Sequence, residues 1–207
     1  MSDTADTAAT ADKAVIDKCK IYRALVAALR HNHNFKKSEM GSDGFVLLSV
    51  IHRVLPSTAK ISIPDLLEIV ENCSKQRCAM IVREGNWMIR ANQGHSADVA
   101  DKSKLDQTEM CERITEPRPC FHGTFQKSLP EIKCIGLSRM KRQHIHLATA
   151  IDAKSGARKN CDVHIYIDMA QAMADGIQFY MSANGVILTE GADGILAPKY
   201  FSRINIL

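Results

Sequence analysis

Apolar positions near the start of the chain recur at steps of four and three. Val15, Cys19, Tyr22, Val26 and Leu29 form one stripe, the period of an amphipathic helix. Arg30 and His31 fall in the final turn of that pattern, where unpaired backbone carbonyls favour cations. The next stretch, HNHNFKKSEMGSDG, is rich in breakers and predicts a loop. A second helical pattern, FVLLSVIHRVL, sets Phe45, Leu48 and His52 on one side. SIPDLLEIVENC predicts a short third helix with Ser62 as its N-cap, Pro64 in the first turn and Glu68 early. AMIV and WMIR, either side of REGN, predict a hairpin. Three short helices followed by a hairpin is the order of a winged-helix module, a shape often used on nucleic acids, although shape alone does not establish use.

Between Ala97 and Pro119 the segment ADVADKSKLDQTEMCERITEPRP is charged and polar and ends in Pro-x-Pro. It reads as a linker with one helical turn, and the domain boundary falls there. Beyond it the texture becomes β-rich. CFHGTF reads as a strand end and HIHLA as a short strand; DVHIYIDM alternates Val163, Ile165 and Ile167 against His164, Tyr166 and Asp168. QFYMSANGVILTE holds Asn-Gly between two strand-like runs, a strong hairpin signal. EGADGILAP turns again before the last strand, YFSRINIL, and short helices are expected from KSLPEI and MAQAMA. The expected organisation is a disordered tail over 1–12, a winged-helix lobe over 13–98, a linker over 99–119 and an antiparallel β lobe over 120–207, α+β in class.

Composition adds bounds rather than direction. A chain of 207 residues can bury a core in each of two lobes. A net charge of +4 and a pI near 8.7 tolerate a polyanionic partner without demanding one. No signal-type apolar core and no run of membrane-spanning length is present, so a cytosolic or nuclear location with reduced thiols is expected, without membrane association. Cys73 and Cys78 are the only close pair among seven cysteines and read as small buried hydrophobes rather than zinc ligands.

Candidate chemistry gathers on arginines, histidines and amides. In IRANQGHS, Arg90 closes a strand, and Asn92, Gln93, Gly94, His95 and Ser96 make a loop able to donate to a phosphate or sugar. In FHGT, His122 leaves a strand into Gly123 and Thr124, a glycine position that admits a ligand close to the backbone. HIHL sets His144 and His146 on one strand face. A metal bound there with His122 is disfavoured, because no carboxylate or thiolate recurs at ligand spacing and the SRMKR run opposes a dication. SGARKN puts Arg158 beside Lys159 after a small-residue turn. Nothing matches a nucleophile elbow, a Walker loop or a dinucleotide fingerprint. The balance favours handling of an anion over hydrolysis by an acid and base pair.

Taken in order, LRH, DGF, KQR, IRANQGHS, FHGT, GL-x-RM-x-R-x-HIHL, SGAR, ADGI-x-F, SANGVILT and G-ADG-x-L-x-P-x-YF resemble the RNA 2′-phosphotransferase family, from about Leu29 to Phe201. The resemblance implies removal of an internal 2′-phosphate left at an RNA splice junction, with NAD as co-substrate and no metal. The phosphate attacks the nicotinamide ribose and expels nicotinamide; the ribose O2″ then displaces the RNA 2′-OH, leaving ADP-ribose 1″,2″-cyclic phosphate. It also implies an ADP-ribosyltransferase-like C-terminal lobe, a site in the cleft between lobes, a monomer, and spliced tRNA as substrate. The family's functional quartet is carried to Arg30, His31, Arg90 and Arg158, with His31 moving a proton and Arg158 serving mainly the second step. His122, Gly123, Thr124, one of His144 and His146, and the Ile187 position are implied in NAD binding. Asn92, Gln93, His95 and Ser96 are implied contacts to substrate or NAD. The strand NGVILT carries no acid, in keeping with a phosphate nucleophile that needs no base. Ala157 and Cys78 depart from the commonest family pattern without removing a charge. An ADP-ribosyltransferase that caps terminal phosphates of RNA or DNA is the alternative output, and an RNA-binding protein with a vestigial nucleotide lobe is the non-enzymatic one.

Overall fold

A computed structural model describes residues 17–207 except 33, 37, 152, 154, 158 and 159. The first expected helix is present as α1, Lys18–His31, with the Asp17 carboxylate capping Lys20 N–H. Its buried face is Tyr22, Leu25, Val26 and Leu29, whereas Cys19 is exposed and Val15 lies outside the described residues. The second apolar pattern splits: Val46–Leu47 forms a short strand, β1, before α2, Leu48–Val54. That strand is drawn out of the helical pattern because its register partners, Ile89 and Met88, offer it a ladder. A 3₁₀ turn over Pro56–Lys60 leads to α3, Ile63–Glu71, whose N-terminus is capped by Ser62. The hairpin is β2, Cys78–Arg83, with β3, Asn86–Ala91. Its turn residues Glu84 and Gly85 both have positive φ, 51° and 75°, the geometry that matches strand twist. β3 is the centre of the three-stranded sheet β1-β3-β2, and α1, α2 and α3 bury their apolar faces against it.

The stretch expected to be a linker, 99–119, is largely built into the fold. It contains α4, Ala97–Ser103, then α5, Gln107–Met110, then the strand β4, Cys111–Arg113. Its apolar residues decide this: Val99, Ala100, Met110, Cys111 and Ile114 are buried although their neighbours are charged. Only the segment around Pro117 and Pro119 remains without regular structure.

The remaining elements are β5, Phe121–Thr124; α6, Leu129–Ile135; β6, Leu137–Ser138; β7, Ile145–Leu147; β8, Val163–Ile167; α7, Met169–Ala174; β9, Tyr180–Ser182; β10, Ile187–Thr189; β11, Ile195–Leu196; and β12, Phe201–Ile206. They make a sheet β4-β9-β10-β7, a sheet β12-β8-β5 and the pair β11-β6, antiparallel throughout. Reciprocal backbone bonds between Phe121 and Ala148, 2.8 and 3.0 Å, join β5 to the end of β7. The expected alternation in β8 is only partial. His164 is buried as deeply as its apolar neighbours, packed on the Phe121 ring at 4.4 Å. Leu147, Ile165, Phe179, Ile187 and Leu196 form the centre of this core. The class is α+β, and among the described residues no helix is long and apolar enough to cross a membrane.

Candidate functional site: a cationic cavity between the lobes

A cavity of about 220 Å³ opens where the C-terminal end of α1 and the loop before β2 face β7 and the 155–157 loop. One wall presents Arg30, Lys75 and Arg77; the other presents Arg142, His146 and Ser155, and Gln93 joins them. Among the described residues no carboxylate lines it. Such a set of walls suits a small multiply charged anion, since guanidinium forks match phosphate oxygens and stay charged.

Arg30 is held by its backbone. Its carbonyl, at the unsatisfied end of α1, accepts from Ser96 N–H at 3.1 Å and Ser96 Oγ–H at 3.2 Å. Its side chain lies over Gly94, where φ is +86° and an added Cβ would come within 3.1 Å of Cζ. Nε and Nη2 are sealed from solvent with no hydrogen-bond acceptor among the described residues. Burial foremost, with Arg142 and Arg77 adding to it, pushes Arg30 down to about 10. It is therefore still protonated at neutral pH, a desolvated cation without a counter-charge.

Lys75 and Arg77 project from a turn tied down on the N-terminal lobe. Gln76 takes a positive φ of 42°, and its amide donates to the Glu71 and Cys73 carbonyls at 2.6 and 2.9 Å. Arg77 N–H donates to the Tyr22 hydroxyl at 2.9 Å, and its carbonyl accepts from Asn92 N–H at 2.8 Å. The Asn92 amide donates to Gln76 O at 2.7 Å. Asn92 and Ser96, expected to touch substrate or NAD, are thus engaged with backbone: they build the wall.

His95, His144 and His146 are neutral. His146 Nε2–H donates to Gln93 Oε1 at 2.7 Å, a bond between lobes that fixes its tautomer. His122 Nδ1–H donates to the His146 carbonyl at 3.0 Å. Burial first, then the charge of Arg142, drives His146 down to about 3. His95, only 2 % exposed, is driven to about 3 by burial and then by Arg30, His144, His31 and Arg90. Burial and Arg139 bring His144 to about 4, so its 3.7 Å approach to Glu190 is not an ion pair at neutral pH. Of the two histidines of HIHL, His146 lines the cavity and His144 does not. Among the described residues no cluster of three or more metal-ligating side chains forms.

Several expected site residues lie elsewhere. Arg90 does not line the cavity: its guanidinium stacks 4.7 Å over the Phe45 ring, and Nη1 donates to the Asp43 carbonyl at 3.1 Å. The guanidiniums that join Arg30 are instead Arg77, on the loop before β2, and Arg142. Ile187 is fully buried in the C-terminal core; it pairs with Leu147, whereas His146 pairs with Leu188. Because opposed residues point to one face, Ile187 turns away from the face that bears His146. Gly123 admits no outside ligand, since a Cβ there would already meet Cys161 Sγ at 2.9 Å and Ala157 Cβ at 3.1 Å. Thr124 is buried in β5 opposite Val163. His31 is exposed at the end of α1, one residue beyond Arg30. Arg158 lies outside the described residues, next to Ala157 of the cavity lining. Lys75, Arg77, Arg142 and Ser155 were not singled out as site residues from sequence; the signal available was KQR and RM-x-R, short basic motifs without local distinction.

Residues 17–191 match the family described as RNA 2′-phosphotransferase, Tpt1 / KptA family. The chain is 41% identical over 198 residues to tRNA 2′-phosphotransferase 1 of Danio rerio, covering 91% of this chain and 85% of that protein. It is 42% identical over 191 residues to tRNA 2′-phosphotransferase 1 of Homo sapiens, covering 89% and 74%. A Schizosaccharomyces pombe relative named as a tRNA 2′-phosphotransferase is 41% identical over 189 residues, and the chain spans 50% of its length.

Proposed function

Because this chain belongs to the RNA 2′-phosphotransferase, Tpt1 / KptA family, we propose that it removes an internal 2′-phosphate from RNA, spliced tRNA being the substrate class, with NAD as acceptor. The observation that carries this reading is the cavity in which Arg30, Arg77, Lys75 and Arg142 converge, with no carboxylate among its described lining residues. A phosphate dianion supplies the counter-charge that Arg30 lacks, and it is a nucleophile without deprotonation. No general base is then required, and the apolar run Val186, Ile187 and Leu188 in and beside β10 offers none.

The residues present fit NAD. A neutral His146 fixed by Gln93 gives uncharged polar recognition beside the cations. NAD supplies an electrophilic ribose carbon with a departing nicotinamide. The guanidiniums of Arg30 and Arg77 orient the phosphate oxygens and offset the charge that builds there during transfer. His31, at a helix end and open to solvent, is positioned to move the proton of the ribose or RNA hydroxyl. Arg158 serves mainly the second step. We infer that RNA is held by a winged-helix lobe and NAD by an ADP-ribosyltransferase-like lobe.

Incubation of the full chain with NAD and a 2′-phosphorylated oligonucleotide tests the proposal. The expected products are oligonucleotide with a free 2′-OH, nicotinamide and ADP-ribose 1″,2″-cyclic phosphate. Accumulation of ADP-ribosylated oligonucleotide, or capping of a terminal phosphate with the internal one untouched, would assign the other output. Binding without nicotinamide release would overturn the enzymatic reading.

A further inference from the structure

The turn that carries Lys75 and Arg77 is secured on its own lobe through four carbonyls. Glu71 O, Cys73 O, Gln76 O and Arg77 O accept from Gln76 or Asn92, all N-terminal residues. The carbonyl at the apex, Lys75 O, is satisfied differently. It accepts from Ser155 Oγ–H at 3.0 Å and from Asn184 Nδ2–H at 2.9 Å, both on the C-terminal lobe. The two donors are themselves adjacent, with Asn184 Nδ2 at 3.4 Å from Ser155 Oγ.

Neither donor is there by accident of a flexible surface. Ser155 is 6 % exposed, and the neighbouring Gly156 has φ +101° with no room for a Cβ against Ala148 at 2.8 Å, so the loop lies flat on the end of β7. Asn184 sits in the loop Ala183-Asn184-Gly185 between β9 and β10, where Gly185 has φ +74° and Gly185 N–H closes on Ser182 O. That loop needs no side chain from Asn184 to form. Its Oδ1 instead accepts from Ser182 Oγ–H at 2.9 Å, which turns the amide nitrogen toward the other lobe.

We propose that Ser155 and Asn184 are positioning residues for phosphate transfer: by clasping the Lys75 carbonyl they set the separation of the two walls of the cationic cavity. Lys75 and Arg77 stand on the clasped side, and Ser155, Gly156 and Ala157 form the facing loop. Loss of the clasp leaves a partly buried carbonyl without its partners and lets that turn relax away from the loop. The phosphate then meets its guanidiniums one wall at a time. This inference rests on the function proposed above and assigns neither residue a direct part in the chemistry.

The test uses the full chain as wild type, Ser155→Ala, Asn184→Ala, the double variant and Ser155→Thr, with two readouts. The first is KM for a 2′-phosphorylated oligonucleotide at saturating NAD. The second is the rise in melting temperature on adding inorganic phosphate. Because either donor satisfies part of the same acceptor, the single variants should raise KM by less than about twofold and the double by about tenfold, more than the singles combined. The double variant should also lose the phosphate-induced rise while its melting temperature without phosphate falls by only a few degrees, and Ser155→Thr should restore the wild-type KM. A double variant with wild-type KM and wild-type response to phosphate overturns the clasp. So does an equal loss of affinity for RNA lacking the 2′-phosphate, which would mark a general defect. If wild type converts no 2′-phosphorylated RNA, the transfer reading falls. The clasp then stands or falls on the phosphate response alone: its loss in the double variant supports it, and its retention overturns it.

Discussion

The two lobes bring opposite chemistry to one cavity. The N-terminal wall is charged: Arg30 at a helix end and Lys75 and Arg77 on one turn. The C-terminal wall, Arg142 apart, is built from a neutral histidine and small residues on strand ends and a flat loop. The contrast teaches how the site divides its work. Arginine keeps its charge even where burial lowers its pKa, as at Arg30, and the turn leaves Lys75 and Arg77 partly exposed. Imidazoles set into a sheet edge are desolvated by the core behind them and stay uncharged. A phosphate needs the first wall, and a dinucleotide's ribose and amide groups need the second.

The sharpest way to break the comparison is to exchange the two arginines that flank it. Arg77→Ala should lower kcat/KM for 2′-phosphorylated RNA by about 10³-fold, the loss expected for a guanidinium that stabilises a transferring phosphoryl group. Arg90→Ala should lower it by less than about tenfold and cost about 1 kcal/mol of stability through its lost stacking on Phe45 and bond to Asp43. Equal losses in the two variants, measured in the same steady-state assay, would return Arg90 to the site.

Arg30→Met separates charge from packing. Turnover should fall by about 10³-fold, yet the chain should become more stable by about 1–2 kcal/mol, because an uncompensated buried cation is replaced by an apolar side chain. Urea unfolding beside the activity assay reads both signs, and a destabilised variant would refute the idea that Arg30 is strained by burial.

Acid tests the buried imidazoles. Burial first, then nearby charge, holds His95 down to about 3 and His144 down to about 4, against an ordinary 6.5. Below pH 6.5 the unfolded chain binds protons that the folded chain refuses, so stability is full above that pH and drains as pH falls toward 4. Each group should contribute about 1.4 kcal/mol per pH unit within that window. A flat urea midpoint between pH 7 and 5 would mean that these rings are charged in the fold.

Gly94→Ala gives the smallest effect. With φ at +86° and Arg30 Cζ 3.1 Å from the new Cβ, it should cost about 1–2 kcal/mol and raise KM for RNA as Arg30 is displaced. An unchanged KM would show that Gly94 serves the backbone only.

Much of this was legible in the chain, and the misses share a cause. Helix periods, the Ser62 cap and the Glu84-Gly85 turn are local, and each sets its element without help from distant residues. The segment 99–119 was misjudged because its few apolar side chains are spaced among charges, and only their burial against both lobes makes α4, α5 and β4 worth ordering. The Asn-Gly signal placed the hairpin of β9 and β10 correctly while hiding what the asparagine side chain does. Gly123 was read as room for a ligand, and the chain's own Cys161 and Ala157 occupy that room.

By itself the sequence determined the α+β order of elements, the family, and a chemistry of arginine, histidine and amide without paired acids, because periodicity and residue type act over a few positions. Only the tertiary structure decided that Arg77 rather than Arg90 faces Arg30, that His146 rather than His144 meets the cavity, and that Lys75 is clasped from the other lobe. Those outcomes depend on which side of a strand meets which loop, and on desolvation by residues far away in the chain, quantities that exist only once the two lobes have closed on each other.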